Sequence, residues 1–219
     1  MVVREIVKNE VHIPAESVTL EGEFIVPDGA SGIVLFAHGS GSSRHSPRNR
    51  FVAEVIRKSN LGTLLFDLLT PEEESVDVHT RHLRFDIGLL ARRLVAASNW
   101  LNSQAETKHL KVGFFGASTG AAAALVAAAE LGEKVGAVVS RGGRPDLAGN
   151  AIVRVICPVL LIVGGLDDVV IKLNEHAYTQ LRSEKEMRIV PGATHLFEEP
   201  GTLEIVAGLA AGWFEHYLE

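Results

Sequence analysis

Two hydrophobic patterns take turns along the chain. Polar and apolar positions alternate through Val18, Leu20, Gly22 and Phe24, the pattern of a half-buried β-strand over Val18–Val26. A shorter strand, Val11–Ile13, precedes it, and Pro27-Asp28-Gly29 closes it with a turn. Gly32–Ala37 is then continuously apolar, as a strand covered on both faces must be. Gly62–Leu68 reads as another buried strand, and Val112–Phe115, Val135–Ser140, Val159–Val163 and Met187–Val190 read as further strands. Between them, helical spacing predicts helices over Phe51–Ser59, His79–Leu101, Thr119–Leu131, Val170–Leu181 and Leu203–Leu218. Pro71–Ser75 reads as an acidic loop, and Arg141–Pro158 as the longest irregular stretch, with room for a short helix.

A β start followed by repeated β-then-α units predicts an α/β fold: a mostly parallel sheet of eight strands or nearly so, with helices on both faces. No linker divides the chain, so residues 1–219 read as a single domain, and no insertion after Val135–Ser140 is long enough for a separate lid. Sheets of this kind bind ligands beyond the carboxyl ends of their strands. Chemistry is therefore to be sought in the loops that follow each strand.

The first such residue is Ser118. Gly116-Ala117-Ser118-Thr119-Gly120 follows a buried strand and opens a helix, a G-x-S-x-G turn in strand–turn–helix context. A serine on so sharp a turn crowds its neighbours, which is why the flanking positions need to be nearly without side chains. The turn lifts the hydroxyl to a helix N-terminus, where negative charge is favoured. Two blander readings compete: a serine that only caps the helix, and a dinucleotide-binding turn built on Gly113, Gly116 and Gly120. The spacing is not G-x-G-x-x-G, and the next strand ends in Ser140-Arg141-Gly142, with no acidic residue placed to hold a ribose.

A serine hydroxyl needs a base beside it. Of nine histidines, most fall on or beside helices. His195 follows the last predicted strand in the loop Pro191-Gly192-Ala193-Thr194-His195-Leu196-Phe197, where a glycine-containing turn can carry an imidazole over the sheet. The acid that orients it is expected after Val159–Val163, at Asp167 or Asp168, with the other aspartate capping the helix near Val170; Asp67 is a weaker candidate. Backbone N–H groups of Thr119 and Ser40, with Gly41 as the alternative to Ser40, are the expected oxyanion donors. His38 reads as structural, bonded to nearby backbone. Gly41, Arg141 and Arg144 are expected to line the substrate site, and Arg44 and Arg48 sit in similar loops; pairing to neighbours such as Asp146 is the alternative use of these cations. His79 and His82 lack a third ligand, so no metal is expected.

Gly116–Gly120, Gly164–Asp167, Gly192–Phe197 and His38–Gly41 together resemble the α/β-hydrolase superfamily, in particular its dienelactone-hydrolase-like branch. The order Ser, acid, His is that of the superfamily. The resemblance runs from Val18 to Leu218 and is closest in Gly-Ala-Thr-His-Leu-Phe-Glu-Glu-Pro-Gly, ending at Gly201. It implies that the acid is Asp167, which follows a Gly-Gly-x turn. The branch proper uses a cysteine where this chain has Ser118, and a glutamate where this chain has Phe36-Ala37-His38, so dienelactone itself is not the expected substrate. A serine hydrolase for small esters, thioesters or lactones is expected, with activated phosphotriesters as a side reaction; the alternative is a non-catalytic small-ligand binding module on the same fold.

Composition narrows this further. A formal charge of −6 argues against a nucleic-acid partner. One cysteine, Cys157, excludes an internal disulfide and cannot replace Ser118, since it precedes Pro158 at the start of a strand. Met1–Glu10 lacks the apolar run of a signal peptide, and the longest apolar stretches, such as Ala121–Ala129, fall well short of the ~20 residues that span a bilayer. A cytoplasmic monomer or homodimer with no cofactor and no membrane partner is the expectation.

Overall fold

The computed structural model describes residues 5–219. Its elements are β1 (Glu5–Ala15), β2 (Val18–Pro27), β3 (Gly32–Ala37), α1 (Pro47–Lys58), β4 (Gly62–Phe66), α2 (Pro71–Thr80), α3 (Ile87–Ser103), β5 (Lys111–Ala117), α4 (Thr119–Leu131), β6 (Val135–Arg141), β7 (Val159–Gly164), α5 (Asp168–Gln180), β8 (Lys185–Val190) and α6 (Thr202–Leu218). They build one eight-stranded sheet in the order β1-β2-β4-β3-β5-β6-β7-β8. The β1–β2 and β2–β4 pairs are antiparallel, and every pair from β4–β3 to β7–β8 is parallel. Helices α1 and α6 pack over Phe36, Phe115 and Val139 on one face. Helices α3, α4 and α5 cover Leu35, Phe114 and Val138 on the other.

The uninterrupted apolar runs are the strands buried on both faces: β3, β4 and β7 carry no exposed position. Alanine dominates α4 because that helix lies hard against the sheet. Ala121 to Ala124, Ala127 and Ala128 have no solvent exposure.

Two expectations need correction. Pro71–Ser75 is not a loop but the first turn of α2. Thr70 Oγ1 accepts the Glu73 N–H (3.2 Å), and Glu73 Oε2 accepts the Thr70 N–H (2.9 Å), a reciprocal cap. The glutamates that suggested a loop sit at the positive end of the helix dipole. The helix expected over His79–Leu101 is two helices. Arg81 adopts left-handed φ (57°) and stops α2, and Asp86 opens α3 by accepting the Leu89 N–H (2.9 Å). Buried Asp77 fastens the break, accepting the Leu83 N–H (2.7 Å) and the Arg84 guanidinium. The irregular stretch after β6 does contain helix, a kinked 3₁₀ segment at Pro145–Arg154. Among the described residues no helix is long and apolar enough to cross a membrane.

Glycines in helices separate positions of close approach from positions of mere tolerance. A β-carbon on Gly120 in α4 would lie 2.2 Å from the Ala37 carbonyl oxygen. On Gly208 and Gly212 in α6 it would meet nothing within 4 Å. Gly120→Ala is therefore expected to lower stability by about 3 kcal/mol, and Gly208→Ala and Gly212→Ala each to raise it by about 0.5–1 kcal/mol. Urea unfolding of the three variants checks both signs; a stabilised Gly120→Ala protein would show that α4 sits further from β3 than described.

Candidate active site

The loops after β3, β5, β6, β7 and β8 meet above the carboxyl edge of the sheet. At their centre Ser118 occupies φ 50°, ψ −120°, between the last residue of β5 and the first of α4. A side chain in that region costs about 1–3 kcal/mol. The surroundings impose it: the Ser118 N–H donates to the Arg141 carbonyl (3.2 Å), and its own carbonyl accepts from the Ala121 N–H and the Arg144 N–H, each at 3.1 Å. A β-carbon on Gly116 would lie 2.4 Å from Ala121 Cα, so the turn closes only with glycine there.

Asp167 and His195, from the ends of β7 and β8, are joined by a 2.7 Å hydrogen bond between Asp167 Oδ2 and His195 Nδ1. The side chains are 16% and 39% exposed, so the carboxylate is shielded and the ring stays open to a ligand. Asp167 is free for this bond because it makes no side-chain cap on α5 although it holds the cap position. Asp168 does not cap a helix beginning at Val170, as the sequence suggested; α5 begins at Asp168 itself, which points to solvent. Asp67 is engaged elsewhere, taking the Arg44 N–H (2.7 Å) and the Arg44 guanidinium.

The His195 loop is tied at several points. Leu166 N–H donates to the Ala193 carbonyl (2.9 Å), and a β-carbon on Gly164 would lie 2.5 Å from that same oxygen. Glu199 receives both the Thr194 N–H (3.0 Å) and the Thr194 hydroxyl (2.6 Å). The Thr194 hydroxyl, with the backbone donors behind it, holds the Glu199 carboxyl below the usual range. Phe197 turns through left-handed φ (56°) and buries its ring. Sequence reading did not single out Glu199; its place four positions after the histidine in a tight loop was the available signal. The loop packs on Gly142, where a β-carbon would lie 3.6 Å from His195 Cε1.

On the other side, Gly39 lies so near Ser118 that a β-carbon there would be 3.2 Å from Ser118 Cβ. The Ser40 N–H, an expected oxyanion donor, is occupied: it donates to Thr119 Oγ1 at 2.9 Å. His38 bonds backbone, with Nδ1 against the Gly39 carbonyl (3.0 Å) and Nε2 accepting the Leu68 N–H (3.1 Å). Burial pulls its pKa down, in keeping with a neutral ring. Gly41 takes φ 71° and lines a cavity of about 420 Å³ with Ser42, His45, Asp67 and Glu74. A second hollow of about 330 Å³ lies between Ser40, Val78, Arg81, Arg84 and Phe85.

The arginines divide. Arg144 is not available to line the site as an unpaired cation: it forks onto Asp146 through Nε (2.8 Å) and Nη2 (2.7 Å), and that pairing raises its pKa. Arg44 bridges Asp67 and Glu21. Arg48 holds Glu198 at 2.7 Å. Arg141 is buried, and desolvation followed by the nearby Arg48 charge lowers its pKa to about 10, which leaves it cationic at neutral pH. Cys157 is buried at the opposite end of the sheet, and desolvation pushes its thiol up to about 12.

The fold and these loops have known counterparts. A dienelactone hydrolase from Anabaena variabilis superposes with a TM-score of 0.95 at 61% identity, over 99% of both chains. The esterase Est1E from Butyrivibrio proteoclasticus (TM-score 0.80, 14% identity, 96% and 99% coverage) and a dienelactone hydrolase-like promiscuous phosphotriesterase, P91, from metagenomic libraries (0.77, 20%, 98% and 99%) share the architecture. Two curated proteins of Mycobacterium tuberculosis strains, named "Putative phosphoribosyl transferase", are 57% identical over 95% of this chain; the chain spans about half their length (46%). The model of the dienelactone hydrolase family matches residues 69–211. The chain therefore belongs to the dienelactone hydrolase family and is built as an α/β hydrolase.

Proposed function

We propose that this protein is a serine hydrolase acting on small esters, thioesters or lactones through a covalent Ser118 intermediate. Two observations support the reading: the 2.7 Å bond between Asp167 and His195, which come from the loops after β7 and β8, and the strained backbone of Ser118 after β5. Asp167 fixes the tautomer with the proton on Nδ1, which leaves Nε2 as the base. Ser118 Oγ attacks the substrate carbonyl carbon while His195 takes its proton. The carbonyl oxygen becomes an oxyanion held by the Thr119 N–H and by the Ser40 N–H, which must give up the Thr119 hydroxyl to take it. Collapse expels the alcohol, thiol or ring oxygen, which leaves with the proton from His195. Water then enters by the same route in reverse, and the acid is released. An activated phosphotriester would meet the same nucleophile and the same donors.

The strain at Ser118 favours catalysis over simple ligand binding, since a binding module has no use for a hydroxyl held at φ 50°.

A fluorophosphonate probe is expected to label Ser118, located by peptide mapping, and p-nitrophenyl butyrate to be turned over. Ser118→Ala is expected to abolish both labelling and turnover, and Asp167→Asn to lower kcat about 10⁴-fold. Intact protein that neither labels nor turns over an activated ester would instead support the binding-module reading. Ser118→Gly is expected to lose hydrolysis while gaining about 1 kcal/mol of stability by relief of backbone strain, measured by thermal unfolding; an unchanged or lower midpoint would count against strain held at the nucleophile.

A further inference from the structure

The loops after β3 and β4 enclose a cavity whose polar groups are only half used. Its volume is about 420 Å³, within the ~300–1,000 Å³ common for small-molecule sites. Ser46 and Thr70 line it, and each is only 8% exposed. Both hydroxyls cap helices: Ser46 Oγ accepts the Asn49 N–H (3.4 Å) at the start of α1, and Thr70 Oγ1 accepts the Glu73 N–H (3.2 Å) at the start of α2. Ser43 Oγ, on the same wall, accepts the His45 N–H (3.2 Å). A hydroxyl that accepts still carries a proton to donate, and none of these three donates to a group among the described residues. Acceptors stand on the same lining. The Glu74 carboxylate is 42% exposed and meets Arg84 only at 3.7 Å. Asp67 takes the Arg44 N–H and guanidinium, and its two oxygens keep lone pairs to spare.

The charges narrow the ligand. An anion would face Asp67 and Glu74. A cation would face the positive ends of α1 and α2, whose caps both line the cavity, and the arginines that already balance the carboxylates. What suits the lining is a neutral group bearing several hydroxyls, each accepting from Ser43, Ser46 or Thr70 and donating to Asp67 or Glu74. Buried Leu69 supplies an apolar wall for the C–H face of such a group. The hollow beside Ser40 is of another kind, walled by Val78 and Phe85 and without a carboxylate. Position joins the larger cavity to Ser118. Gly41 and Ser42, on its wall, directly follow Ser40. His38, also on its wall, precedes Gly39, the glycine that abuts Ser118 Cβ.

We propose that this cavity holds a neutral polyhydroxylated group, a sugar or polyol, belonging to the ester that Ser118 cleaves. This rests on the hydrolase reading for the cleavage, though not for the binding. With the sugar on the alcohol side, Ser118 Oγ bonds the acyl carbon as the bond to the sugar oxygen breaks. That oxygen leaves with the proton from His195, and water then frees the acid. In a sugar lactone the same bond breaks, and both halves stay in one molecule.

Binding and cleavage are measured apart. Sorbitol, methyl glucoside, glutarate and putrescine are titrated calorimetrically into the wild-type protein and into S42F, E74M, T70V and T70S, with folding checked by circular dichroism. Sorbitol or methyl glucoside is expected to bind the wild type, about tenfold more weakly E74M and T70V, and not detectably S42F, with T70S restoring the wild-type affinity. Should T70V fail to fold, S42F and E74M, whose replaced side chains cap no helix, decide the matter. No binding of either hydroxylated compound, equal affinity in all variants, or binding of glutarate or putrescine instead would overturn the site. In the kinetic arm, kcat/KM for 6-O-acetylglucose over ethyl acetate reports on the alcohol side, and gluconolactone over δ-valerolactone on the acyl side. One of these ratios is expected to exceed about 100 in the wild type and to fall about tenfold in E74M. Ratios near unity would overturn the placement of the sugar in the substrate. If the wild type hydrolyses none of these compounds, the hydrolase reading fails, and the titrations still judge the cavity.

Discussion

The site depends on how closely α4 can approach the ends of β3 and β5. That separation is set by backbone meeting backbone: the Gly120 position faces the carbonyls of Ala37 and His38, and the Gly116 position faces the first turn of α4. Neither contact leaves room for a methyl group. Once the helix is drawn in this far, the residue between strand and helix has no relaxed conformation open to it, and Ser118 takes a left-handed φ. Strain at Ser118 is thus a consequence of packing, and the fully buried alanines of α4 supply the packing energy that sustains it.

The same device recurs across the sheet. Gly164 at the end of β7 lets the backbone of the His195 loop lie directly on the strand, and the Leu166 N–H fastens it there. Two strand ends that are neighbours in the sheet therefore present Asp167 and His195 at bonding distance. Glu199 anchors the loop from its far side through Thr194. The loops that carry Asp167 and His195 are positioned by main-chain contacts, which is why loops with few bulky residues can hold them.

Much of this was legible in the sequence, because the signals were of a kind that one chain can carry alone. The continuous apolar runs marked β3, β4 and β7, and the glycines around Ser118 marked a turn with no space. The resemblance to relatives singled out Asp167 over Asp168, and Asp167 is the one bonded to His195. What escaped the reading were features decided by partners distant in sequence. The glutamates of α2 looked like a loop until Thr70 and Glu73 were seen to cap each other. The break at Arg81 is fixed by buried Asp77, which periodicity does not register. Among the arginines, nothing in spacing distinguishes Arg144, which pairs with Asp146 two residues on, from Arg141, whose Nη1 is buried without a hydrogen-bond partner among the described residues.

For the hydrolysis proposed above, with the Ser40 N–H as an oxyanion donor, the bond between that N–H and the Thr119 hydroxyl has a bearing on selectivity. In the resting protein that donor already has a neutral oxygen as its acceptor. A ground-state carbonyl arriving there offers another neutral oxygen and gains little by displacing the first. An oxygen carrying full negative charge is a much stronger acceptor and wins the exchange. The threonine hydroxyl thus acts as a reference against which incoming ligands are weighed, so that the donor discriminates between bond order one and bond order two at the reacting centre instead of gripping both alike.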